Sequence, residues 1–142
     1  MHHKVNEGID SENFSEVIRK SIQLNTKRDE INIVLFTDRK AVIDQVFHHY
    51  FGYDNKKEFM RNKFLQLEDG LSLIKVYLQE SGSDNVLDND KDGVVIGVYT
   101  KPDEFDNLFT DSNYVNLQKI YLPWHKKELV AHLEKNKHSL AI

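Results

Sequence analysis

The chain has 142 residues, a formal charge of −4, 39% hydrophobic and 30% charged residues, and no cysteine. That length suits one domain around one core, and the acid excess speaks against a general nucleic-acid binder, which needs a basic surface to neutralise phosphates. Lack of cysteine removes disulfide frameworks, thiolate chemistry and cysteine zinc sites, and with no apolar run near ~18 residues and no hydrophobic signal core the expectation is a cytoplasmic protein without a membrane span.

Residues 1–10 read as a loose leader to a single domain spanning the chain. Asn13 and Glu16 have the spacing of a capping pair, and Phe14, Val17, Ile18 and Ile22 recur at helical intervals, so a first helix is predicted over 14–24. Residues 31–37 (INIVLFT) are uncharged and rich in β-branched side chains, as a strand covered on both faces reads, and Asp38, Arg39 and Lys40 close it.

The clearest helix covers 41–51. Val42, Ile43, Val46, Phe47, Tyr50 and Phe51 fill one face, Asp44, Gln45, His48 and His49 fill the other, and Gly52 ends it. Asn55 and Glu58 can cap a second, short helix with Phe59, Met60, Phe64 and Leu67 turned inward. A turn at Glu68-Asp69-Gly70 precedes a strand over 71–78. The polar stretch 81–93 lacks a helical stripe and most simply joins antiparallel neighbours as a long hairpin.

Residues 94–99 form another uncharged strand. Pro102 suits a first helical turn, with Asp103 and Glu104 complementing its dipole and Phe105, Leu108 and Phe109 on one face. Residues 115–122 alternate as a strand that Pro123 stops. A strand, helix and strand joined this tightly make a right-handed crossover, so these two strands should run parallel with their carboxyl ends on one edge. A final helix is predicted over 126–136, with Leu129, Val130 and Leu133 inward.

The order of elements points to an α+β fold. Its favoured form is a four-stranded mixed or antiparallel sheet with a ferredoxin-like βαββαβ core plus N- and C-terminal helices. The alternative is a Rossmann-like three-layer α/β sandwich, and the link over 81–93 decides between them.

Two places could carry chemistry. Asp88, Asp90 and Asp92 before Gly93 have the alternate-carboxylate spacing of the first half of a calcium loop, but Tyr99 stands where that loop needs a bidentate Glu. The plainer reading is a solvated turn feeding a strand. At the shared edge, Thr100 and Lys101 are expected beside Trp124, His125, Lys126 and Lys127, where helix N-termini favour an anion, Trp124 offers a stacking surface and His125 a donor or general acid. The plainer reading there is solvated lysines paired with Asp103 or Glu104.

His48, His49, His125, His132 and His138 lack the spacing of a metal pair on one helix and are expected to be solvated. Asp38 would approach His125 only in the Rossmann-like alternative; a capping or salt-bridging role is expected of it. No G-x-S-x-G, P-loop or G-x-G-x-x-G occurs. The expectation is therefore a small binding or regulatory module that contacts a protein partner or forms a homodimer and needs no cofactor unless calcium fills the acidic loop. The alternative is a small enzyme or ligand-binding domain acting on a phosphorylated or carboxylated small molecule at the Lys101 and His125 edge.

Overall fold

The computed structural model describes residues 11–25, 29–80, 92–100, 117–122 and 140–141, with 11–13 and 140–141 as backbone only. Strand β1, Glu30–Thr37, is buried from Ile31 onward and lies between β3, Ser72–Glu80, and β4, Val94–Val98, parallel to both. Its uncharged, β-branched sequence suits that central place, where both faces are covered. Strand β5, Gln118–Leu122, extends the parallel set beside β4, and the two-residue β6, Leu140–Ala141, lies beside β5. Among the described strands only β2, Phe64–Asp69, pairs antiparallel, on the outer side of β3. The six-stranded order is β2-β3-β1-β4-β5-β6.

The α+β class holds, but this order replaces the four-stranded ferredoxin-like sheet. That arrangement needs alternating strand directions, whereas β3 and β4 flank β1 on opposite sides and all three run the same way. The link over 81–93 is consequently no hairpin: it leaves β3 at the carboxyl edge and enters β4 at the amino edge. Its polarity signalled solvent, which says nothing about the direction in which a chain returns. The parallel pairing expected of the last two long strands is present, in a register from Val94↔Gln118 to Val98↔Leu122.

Helices α1 (Ser11–Leu24), α2 (Lys40–Val46), α3 (His48–Phe51) and α4 (Tyr53–Asn62) share one core with one face of the sheet. Phe14, Val17 and Ile18 of α1 and Val42, Ile43 and Val46 of α2 meet Ile31, Ile33 and Leu35 of β1 there. Each such side chain removed from water contributes about 1.5–3 kcal/mol. The opposite face carries a second buried cluster of Val34, Phe36, Val95, Leu117 and Tyr121. No helix among the described residues is long and apolar enough to cross a membrane.

The helix predicted over 41–51 is divided at Phe47, yet its apolar face runs through. Phe47 keeps right-handed helical angles, its N–H donates to the Ile43 carbonyl at 2.9 Å, and its own carbonyl accepts from Phe51 at 3.1 Å. Gly52, at φ 86°, then redirects the chain into α4. Helix α4 stops earlier than its apolar spacing suggested, because Lys63 turns left-handed at φ 60° and donates its N–H to the Phe59 carbonyl at 2.7 Å. Phe64 and Leu67 therefore belong to β2, which the sequence reading missed. Gly70, at φ 63° in the two-residue loop between the Asp69↔Ser72 pair, closes the β2–β3 hairpin.

His48 is not the solvated histidine its place on the polar face implied. It is half-buried, its ring stacks on Tyr53 at 4.3 Å and meets His49 at 4.0 Å, and its Nδ1 is buried without a hydrogen-bond partner. Desolvation first, then the nearby His49 and Lys56, push its pKa below the usual histidine value, with Asp44 opposing. A lowered folded pKa means the fold prefers neutral imidazole. The stability tied to that preference is present above the unfolded pKa of about 6.5 and is lost as pH falls through the lower folded value. Melting scans should show wild type losing more stability between pH 7 and pH 5 than His48→Phe, which keeps the stack on Tyr53 but does not titrate; equal losses would remove His48 from the acid response.

Candidate functional site

Because β3, β1, β4 and β5 run in one direction, their carboxyl ends share a rim. From β1 the chain goes to β3 on one side and later returns to β4 on the other. Strand order thus reverses between β1 and β4, where the connections leave in opposite directions and an open parallel sheet has its crevice.

Thr37, fully buried, ends β1. Its hydroxyl accepts from the Arg39 N–H at 3.0 Å and donates to the Arg39 carbonyl at 3.1 Å, a local turn that lifts the chain off the sheet into α2. Asp38 sits in that turn. It does not cap α2: the helix begins at Lys40 with Arg39 as its N-cap, which leaves Asp38 one residue too early for that place. The expected salt bridge exists only as a long contact, Arg39 Nε to Asp38 Oδ1 at 3.9 Å, beyond hydrogen-bond range. Although the Asp38 side chain is only 15% exposed, Oδ1 is buried with no hydrogen-bond partner.

On the neighbouring strand end, Tyr99 is buried and left-handed at φ 52°, with its N–H donated to the Leu122 carbonyl at 2.8 Å. A bulky residue in that region carries strain of about 1–3 kcal/mol, which persists where surroundings over-determine it and concentrates at sites. Here the Leu122 bond and the buried ring hold the kink. Thr100 follows, 1% exposed, its carbonyl accepting from the Tyr121 hydroxyl at 2.8 Å while its own Oγ1 has no hydrogen-bond partner. Two buried oxygens without partners, Asp38 Oδ1 and Thr100 Oγ1, therefore stand at adjacent strand ends on either side of the reversal. Leaving such a group unpaired costs about 1–3 kcal/mol and more when it is charged.

Cations stand on the β1–β3 side of this place. Lys63 Nζ donates to Glu80 Oε2 at 2.7 Å, and Glu80 ends β3 opposite Thr37. That hydrogen bond holds the Glu80 carboxyl below its usual range against the opposing effect of burial, helped by the charges of Lys63 and Lys40. Arg39, Lys40 and Lys63 thus stand against Asp38 and Glu80, a local positive excess on a chain of net charge −4.

Lys101, Trp124, His125, Lys126 and Lys127 lie outside the described residues, as do Asp88 and Asp90. Strands β4 and β5, which precede the first five in the chain, end side by side in the Val98↔Leu122 pair. Asp92 is exposed at the other edge, where its carbonyl accepts from Asn32 Nδ2 at 3.0 Å, so the acidic stretch and the carboxyl rim meet the sheet at opposite ends. Among the described residues no three His, Cys, Asp or Glu side chains gather as a metal site. Gly93 has a packing role of its own: a Cβ there would stand 2.8 Å from the Asn32 carbonyl oxygen.

The sequence places Thr100 at the carboxyl edge beside Lys101, but not its burial, which follows from the kink at Tyr99. Lys119, read as a polar position of a strand, is 7% exposed, and burial pushes its pKa down while Nζ donates to the Leu117 carbonyl at 3.0 Å. No family model, curated protein or solved structure matches the chain.

Proposed function

We propose that this α+β domain binds a small anionic molecule at the carboxyl rim of its largely parallel sheet, in the crevice between β1 and β4. The observation that carries the reading is the set of cations Arg39, Lys40 and Lys63 at the carboxyl ends of β1 and β3, beside the strand-order reversal; the buried Thr100 Oγ1, without a partner there, is a free hydroxyl donor. Parallel sheets of this order, 2-1-3-4-5 when the parallel strands alone are numbered, place ligands there for a geometric reason: diverging connections leave space. In this reading Lys40 and Arg39 attract the anion, and Lys101, His125, Lys126 and Lys127 join them from the segments after β4 and β5, with Trp124 as a stacking face. A small enzyme on the same rim would use His125 as its acid or base and Asp38 to orient it.

Melting scans in inorganic phosphate test this. At ten times its dissociation constant a ligand adds about 1.4 kcal/mol, several degrees in melting temperature for a domain of this size. Millimolar phosphate should raise the melting temperature above a chloride control of equal ionic strength, and the double variant Lys40→Gln, Lys101→Gln should lose most of the rise. No rise in wild type, or the same rise in the variant, would remove the anion site.

A second reading, a surface for a protein partner or a second copy, has Leu71 in its favour, fully exposed at the β2–β3 turn. The adjoining edge strand ends in exposed Glu68 and Asp69, a pattern that discourages strand-to-strand pairing. Sedimentation of wild type and Leu71→Ser would separate the two: a dimer lost in the variant favours association.

A further inference from the structure

We infer that His48 is an acid-operated latch on α4: when its ring takes a second proton, Asp44 exchanges Lys56 for His48, and residues 53–56 come away from α3. One atom decides the direction. His48 Nδ1 is buried with no hydrogen-bond partner, which suits the unprotonated nitrogen of a neutral imidazole. A proton there would be a donor sealed off from any acceptor, so the charged ring has to turn toward water or a carboxylate.

Among the described residues, α2, α3 and α4 face the ring with charged or titratable groups. Helix α2 brings Asp44, α3 brings His49 at 4.0 Å between ring centres, and α4 brings Tyr53, stacked at 4.3 Å, and Lys56. With the latch closed, Lys56 Nζ stands 3.4 Å from Asp44 Oδ1, an ion pair that ties α4 to α2. Asp44 and His48 lie four residues apart on backbone that stays helical through Phe47, the spacing at which side chains meet on one helix face. An imidazolium at His48 therefore draws Asp44 to its own helix and repels Lys56, and both changes loosen α4. Stacking a cation on Tyr53 would favour the closed form. Lys56 Nζ already stands 5.7 Å from the centre of that ring, however, so two cations would have to share it. Burial, His49 and Lys56 hold the His48 pKa down against Asp44, so the closed form prefers the neutral ring and is lost as pH falls through the folded value.

The release is local. Gly52, at φ 86° with nothing within 4 Å of the place a Cβ would take, is a joint with room to turn. Phe59, fully buried and stacked on Phe47 at 4.3 Å, keeps the second half of α4 in the core.

Hydrogen exchange and ring titration, both read by NMR on the full chain, test the latch. The reporter is the Lys56 amide, which donates to the Gly52 carbonyl at 3.0 Å in the first turn of α4. Between pH 7 and pH 5 its protection factor should fall by about threefold or more while that of Ile33 in the central strand holds, and the midpoint of the fall should coincide with that of the His48 ring resonance. His48→Phe should keep the Lys56 amide as protected at pH 5 as at pH 7. Asp44→Asn should move the ring titration of His48 to lower pH, because the one charge that opposes the others is gone. An unchanged protection factor, a fall shared with Ile33 as the whole fold loosens, or a midpoint away from that of the His48 ring would overturn the inference. So would an Asp44→Asn protein whose His48 titrates at or above the wild-type pH. The wild-type titration needs no variant, so a failure of either substitution to fold leaves the test intact.

Discussion

Phe47→Ala should lower the stability of the domain by about 3–5 kcal/mol, the largest single-residue effect expected here. Phe47 is fully buried and stacks on Phe59 at 4.3 Å and on Phe51 at 4.5 Å, with Phe14 tilted against it at 6.5 Å. Its ring thereby joins α1, α3 and α4. Truncation removes the transfer energy of the ring and leaves a cavity that three separate helices would have to close by moving together, which they do incompletely. Phe47→Leu, which keeps most of the volume, should cost less than half as much. Urea unfolding of the two variants checks this. A loss under ~1.5 kcal/mol for Phe47→Ala would mean the aromatic cluster is not the joint between the helices.

Gly93→Ala should destabilise by about 1–3 kcal/mol although it adds one methyl group at an ordinary backbone angle. The added Cβ would fall 2.8 Å from the Asn32 carbonyl oxygen and 3.1 Å from the Asn32 Cβ. The clash is with backbone, not with the end of a flexible side chain, and that backbone is the buried central strand. To relieve it β4 must shift against β1, which also stretches the bond from Asn32 Nδ2 to the Asp92 carbonyl. Gly52→Ala is the useful comparison, because nothing lies within 4 Å of its added Cβ and its cost comes from φ alone. If Gly93→Ala unfolds at the wild-type denaturant midpoint, β1 and β4 do not approach as described.

Much of the architecture was legible where side-chain chemistry is local. The central strand showed as INIVLFT, the α1 stripe as Phe14, Val17 and Ile18, and the parallel pairing of β4 and β5 followed from the helical pattern read between them, which implies a crossover. What failed depended on long-range information. Nothing within residues 81–93 says on which side of β1 the next strand will lie, so the sequence favours an antiparallel hairpin there and a four-stranded mixed or antiparallel sheet. Strand β2 was missed because Phe64 and Leu67 continue the three- and four-residue spacing of α4; only the left-handed turn at Lys63, which spacing does not encode, ends the helix. Asp38 has the residue type of a cap or an ion-pair partner, but α2 starts too late for it to cap and Arg39 stays 3.9 Å away, which no local pattern encodes. His48 sat on the polar side of its helix, yet α4 folds back over it and Tyr53 covers the ring.

Backbone-amide NMR during titration with inorganic phosphate is the most direct test of a ligand site at the β1/β4 reversal. The largest shifts should fall at Thr37, Asp38, Arg39 and Lys40 and at Tyr99 and Thr100, while Asn25, Asn32, Asp92 and Gly93 at the amino edge stay in place. Shifts gathered at the amino edge, or none at millimolar phosphate, would contradict the site.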